Sequence, residues 1–178
     1  MAIKILVVAE HGNDQLRPVT ANAVAAAVAL GAKSGGAEIH VLVAGHGAQV
    51  AAGAAATIAG VGQVIYADSP ALADQVAEPM TAQVLGVCAG FHAIVFPATA
   101  FGKNIAPRVA ATLDVSQISE VIEIISPDTF KRPIYAGNVI ATVQSLDSIK
   151  IMTVRGTAFE AAGSVSYTHL RAHETVLD

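Results

Sequence analysis

The chain lacks tryptophan, has a single cysteine and carries few charges, and each shortage removes a class of protein. Cys88 is the lone cysteine in 178 residues, so neither a disulfide framework nor a thiolate metal site can be built. No lysine or arginine is near it in sequence, which predicts a buried, unreactive thiol. Charged residues make up only 13%, with 10 Lys and Arg against 14 Asp and Glu. No basic block or basic–aromatic interleaving occurs, so no nucleic-acid partner is expected. Low charge joined to 53% hydrophobic residues excludes a disordered chain. The strongly apolar runs "IKILVVA" and "IHVLVAG" are strand-sized, too short to span a membrane. Met1 leads straight into the first of them without a charged or apolar leader, which predicts a cytoplasmic location.

What is present is a rhythm. "IKILVVAE", "EIHVLVAG", "QVIYAD" and "AIVFP" are Ile/Leu/Val-rich runs of the kind buried on both faces of a parallel sheet. Between them lie alanine-rich helical stretches, the first opened by Pro18 and closed by glycines. A third helical stretch is expected to be interrupted at Pro79. After Asp114 the rhythm changes to "ISEVIEII", "RPIYAG", "VIATVQSL" and "IKIMTVRGTAF", joined by short turns, which predicts antiparallel strands. The fold class is therefore α/β: a Rossmann-like parallel sheet flanked by helices, with an added antiparallel section in the C-terminal third.

The motifs that would name a nucleotide enzyme fail on spacing. In "PATAFGKN", Gly102 and Lys103 end like a Walker A loop. Its first glycine falls at Pro97, however, and the magnesium-binding hydroxyl at Asn104. The first strand is followed by "EHGNDQL", which has one glycine where a dinucleotide fingerprint needs three. No G-x-S-x-G elbow exists, and His11, His40, His46 and His92 have no ligand spacing. What remains is Lys103, Asn104 and Arg108. With a helix starting near Asn104 and Pro107 in its first turn, Ile105, Val109 and Leu113 form the core stripe. Asn104 and Arg108 then share another face, at a strand's carboxyl end, where an anion or a partner subunit could be held.

Longer stretches carry a resemblance. "ILVVAEHGNDQLRPVTANAVAAA", "GVGQVIYADSPALAD", "PATAFGKNIAPRVAATLDVSQISEV" and "DTFKRPIYAGNVIATVQSLDSIKIMTVRGTAFEAAG" occur in this order. Together they resemble the N-terminal domain of the electron-transfer flavoprotein alpha subunit, over residues 3 to 163. The resemblance implies a heterodimer with a beta subunit, one FAD held chiefly by an alpha C-terminal domain, and AMP in the beta subunit. It implies electron transfer from flavin dehydrogenases, such as the acyl-CoA dehydrogenases of fatty acid β-oxidation, to a membrane-bound quinone oxidoreductase. This chain is then expected to be an assembly and docking domain, residues 1–163, an electron-carrier component and not an enzyme. No residue of it matches the FAD-binding motif, so no cofactor ligand is assigned. A stand-alone adenine-nucleotide-binding α/β module is the competing reading, although the glycine-rich loop it needs after the fourth strand is missing. Residues 164–178 break the alanine-rich pattern and resemble translated sequencing-adapter read-through, so a non-native tail on a truncated chain is expected.

Overall fold

The computed structural model describes residues 2–165. Its first elements alternate: β1 (Ile3–Val8), α1 (Val19–Lys33), β2 (Ala37–Gly45), α2 (Gln49–Ala56), β3 (Gln63–Asp68), α3 (Ala77–Val87), β4 (Ala93–Pro97) and α4 (Ala100–Thr112). Then come β5 (Gln117–Val121), β6 (Glu123–Ile124), β7 (Thr129–Ile134), β8 (Val139–Gln144) and β9 (Lys150–Val154). Six strands form one parallel sheet in the order β3-β2-β1-β4-β9-β5, and β6-β7-β8 form a small antiparallel sheet. The buried stretches 5–8, 41–45 and 93–97 are apolar because helices cover both faces. Ile5 and Val7 of β1 point into a core shared with α1 and α2, while Leu6 and Val8 point into one shared with α3 and α4. Alanine suits this design, since Ala23, Ala26 and Ala27 let α1 lie close to the sheet.

Three local expectations are corrected. "IKIMTV" is no antiparallel strand: β9 inserts between β4 and β5 and runs parallel to both. Ile151 and Met152 are fully buried on opposite faces, which is the signature of an interior parallel strand. "ISEVIEII" is not one strand either. A register shift between Ile118 and Val121, with Glu120 at φ 54°, divides it into β5 and β6. Pro79 does not kink a long helix, because α3 starts at Ala77 and the proline sits in its first turn, where N–H groups have no intrahelical acceptor.

Phe130 and Arg132 tie the small sheet to the body, and Asp128 fastens its strands to one another. Phe130 is fully buried in the core that α1 covers. Arg132 donates to Ser119 at its carbonyl (2.9 Å) and its Oγ (2.7 Å). Asp128 accepts from Ser126 Oγ (2.7 Å), Thr129 Oγ1 (2.8 Å) and Gln144 Nε2 (2.7 Å), closing the β6–β7 turn onto the end of β8. These donors pull the Asp128 carboxyl down to about 2. Of the segment expected to be a tail, Ser164 bridges to Ile58 and the Val165 N–H donates to the Thr57 carbonyl at 2.7 Å. Residues 166–178 of it lie outside the described residues.

Candidate functional site: the carboxyl edge of the parallel sheet

In a doubly wound sheet the ligand crevice opens where the strand order reverses, beyond the carboxyl ends of the strands. Here that point lies between β1 and β4, and a side chain closes it. Glu10, two residues past β1, accepts a 2.6 Å hydrogen bond at Oε2 from Thr99 Oγ1. Thr99 is the N-cap of α4. The Glu10 backbone is clamped as well: Thr20 Oγ1 accepts from its N–H and donates to its carbonyl, both at 3.1 Å. A carboxylate thus sits beside the positive end of α4, the place a phosphate would take in a nucleotide-binding relative of this fold. An incoming phosphate would meet like charge there.

α4 starts at Ala100 and not near Asn104, so Pro107 is an interior helix residue. Its missing N–H falls on the exposed side, where water can reach the Lys103 carbonyl it leaves unpaired. Ile105 and Val109 are buried and Leu113 packs against the same core, as the stripe predicts. Gly102 is a packing glycine. A Cβ on it would lie 1.9 Å from the Pro97 carbonyl oxygen.

Lys103, Asn104 and Arg108 are exposed on α4, and carboxylates meet both cations. Arg108 Nη2 lies 2.6 Å from Glu78 Oε1, joining α4 to α3. Lys103 Nζ lies 2.5 Å from Glu120 Oε1, and Arg155 donates to the other oxygen of that carboxylate. Glu120 was missing from the sequence-derived set. The extra residue in β5 that aims it is a bulge, held by the Glu120 N–H donating to Thr153 Oγ1 at 2.9 Å. Hydrogen bonds from Lys103 first, then Arg155, hold the Glu120 carboxyl below its ordinary range.

The loop after β1 is fastened through His11, which is buried. His11 Nε2 donates to the Ala44 carbonyl (3.0 Å), and Nδ1 accepts from the Asn13 N–H (3.0 Å), which fixes the neutral tautomer. Asn13 in turn donates to the Ala73 carbonyl (2.9 Å) and accepts from the His46 N–H (3.1 Å), while Gln75 Nε2 donates to the His11 carbonyl (3.0 Å). Burial pushes the His11 pKa down from 6.5. A histidine with a depressed folded pKa stabilises the fold fully above the unfolded value and loses that contribution as the pH falls through the folded one. The urea midpoint is therefore expected to drop as the pH falls below about 6.5, and His11→Gln to flatten that drop. An unchanged slope in His11→Gln would count against the assignment.

The remaining histidines and Cys88 make local contacts. His40 is buried edge-on against Phe91, with ring centroids 5.1 Å apart. His92 Nδ1 accepts from the Lys4 N–H at 3.2 Å. His46 Nδ1 is 3.3 Å from Asp68, whose carboxyl is held low mainly by the Gly47 N–H and then by Tyr66. Cys88 is half-buried, and burial raises its pKa. Among the described residues, no three His, Cys, Asp or Glu side chains are grouped to hold a metal, and no helix is long and apolar enough to cross a membrane.

Comparison with known proteins gives the family. The family description "Electron transfer flavoprotein domain" matches residues 5–172. The chain belongs to the electron transfer flavoprotein family. It is 51% identical to the electron transfer flavoprotein subunit alpha of Pseudomonas aeruginosa over 160 residues, 90% of this chain and 50% of that protein. To the subunit alpha of Bradyrhizobium diazoefficiens it is 51% identical over 158 residues, 89% of this chain and 49% of that protein. The mitochondrial subunit alpha of Dictyostelium discoideum is 44% identical over 164 residues, 88% of this chain and 45% of that protein. The chain thus spans about half the length of the electron transfer flavoprotein relatives it matches.

Proposed function

We propose that this chain is the N-terminal assembly and docking domain of an electron-transfer flavoprotein alpha subunit. The observation that carries the reading is the closed crevice. Where this fold elsewhere takes a phosphate, the chain places its own Glu10 carboxylate, although its family is named for a flavin. The pyrophosphate of FAD does not fit that position, and no step of flavin chemistry is assigned to residues of this domain. FAD is held by the part of the alpha subunit this chain does not span, and AMP by the beta subunit. The complete heterodimer takes electrons from flavin dehydrogenases, such as the acyl-CoA dehydrogenases of fatty acid β-oxidation, and passes them to the quinone pool.

The domain contributes surface. The β7–β8 turn presents Tyr135 at 78% exposure, with Val139 and Ile140 beside it, an apolar group that a partner can bury. Lys103 and Arg108 lock α4 to β5 and α3 through their ion pairs, leaving Asn104 exposed between them as a polar contact for a partner. A stand-alone adenine-nucleotide module is opposed by the carboxylate at α4.

Calorimetric titration with the beta subunit of the Pseudomonas aeruginosa protein tests the reading. Binding at about micromolar Kd or tighter is expected, with no heat from AMP on this chain alone. Saturable AMP binding without binding of the subunit would replace the docking reading with the nucleotide module.

A further inference from the structure

We infer that the amino edge of the parallel sheet holds a separate site, a groove for a small carboxylate with a compact apolar body. It lies at the opposite end of the strands from Glu10 and Thr99 and does not rest on the docking reading. Side chains alternate along a strand, so Lys4 of β1, His40 of β2 and Gln63 of β3 share a face with Leu6, Leu42 and Ala67. α3 packs on that face through Met80 and Val84 but ends at Val87, and Gly86 in its last turn has no side chain to extend the cover. A groove of about 290 Å³ is left there, lined by the polar Lys4, His40 and Gln63 and the apolar Ile65, Val87 and Phe91.

His40 is the second, independent observation. It is only 5% exposed, yet neither ring nitrogen makes a hydrogen bond. Nε2 lies 2.9 Å from Glu38 Oε1 but out of line for one, and Nδ1 has no partner. A buried polar group left unpaired costs stability, so a ligand that pairs it gains that cost back. Phe91, edge-on at 5.1 Å, holds the ring in place at the groove. The surroundings select an anion. Lys4 is the other charged residue of the lining, and the Gln63 amide offers a further donor. With Glu38 balancing Nε2, a protonated imidazole donates Nδ1–H to a carboxylate on its other side. His92, next after Phe91, brings no competing charge, because its Nδ1 accepts from the Lys4 N–H. Ile65, Val87 and Phe91 then receive the apolar body of the ligand.

Titration of the full chain with benzoate at about pH 6, followed by NMR of the histidine rings, tests this. Saturable binding at about millimolar Kd or tighter is expected, with the His40 ring signals moving most. Benzamide, which has the same shape without the charge, should bind about tenfold more weakly or worse. His40→Phe keeps a ring in place and removes both nitrogens, and should weaken benzoate by about tenfold or more. Lys4→Gln, an exposed change that leaves the core intact, should weaken it by about threefold or more and keeps the test decisive if His40→Phe does not fold. Absence of benzoate binding overturns the site. Binding that moves other histidines and ignores Lys4→Gln lies elsewhere, and overturns it too. Equal affinity for benzamide overturns the anion as its ligand.

Discussion

Gly102→Ala is expected to cost a large part of the domain's stability. The new Cβ would lie 1.9 Å from the Pro97 carbonyl oxygen, 3.0 Å from its carbon and 3.1 Å from Phe96 Cβ. Two of these atoms are backbone of β4, whose residues are all buried, and backbone there cannot yield without moving β1 and β9 as well. Overpacking a core costs about 1–3 kcal/mol when side chains can give way. Here they cannot, so about 3 kcal/mol or more is expected, against a total of about 5–15 kcal/mol for a domain. Chemical denaturation followed by circular dichroism reads the effect. Gly53→Ala is the control: it lies in α2 with nothing within 4 Å of the added Cβ, and a gain of about 0.5–1 kcal/mol is expected. Equal midpoints for the two variants would show that α4 does not sit on β4 as described.

The second large effect is expected at Phe130. It is the fully buried aromatic of the small sheet, in a core with Ile118, Val121 and Val154. Phe130→Ala should cost about 3–5 kcal/mol from lost burial and the cavity left behind. The loss should appear unevenly. β7 and β8 lie outside the six-stranded sheet, so their amides should exchange faster before those of β1 and β4 do. Because β9 follows β8 in the chain and lies between β4 and β5, freeing the small sheet also loosens that interior strand. Uniform acceleration across all strands would contradict a separately fastened small sheet.

Both effects bear on what was legible in the sequence. The parallel half was plain because strands covered on both faces must be apolar where they are covered, as residues 5–8, 41–45 and 93–97 are. β9 looked antiparallel because it follows two hairpin strands; only its burial on both faces, a tertiary fact, marks it as interior. The bulge at Glu120 left no glycine or proline to announce it, so the carboxylate that captures Lys103 and Arg155 went unnoticed. Gly102 and Lys103 followed a strand as a phosphate loop would. Their real constraints are a helix that begins at Ala100 and a carbonyl too close for any side chain. Lys103 and Arg108 were visible as cations, but partners from β5 and α3 are remote in sequence. Glu10 opens "EHGNDQL", directly after the first strand, and only the fold places it at the cap of α4.

The central claim is that this domain assembles and does not hold the flavin. Sedimentation velocity of the chain mixed with the beta subunit and FAD, followed by both protein and flavin absorption, tests it most directly. The account predicts that the chain moves into a heavier boundary with the beta subunit, while the chain sedimented with FAD alone carries no flavin colour. A chain that sediments apart from the beta subunit, with FAD moving in its own boundary, would contradict it.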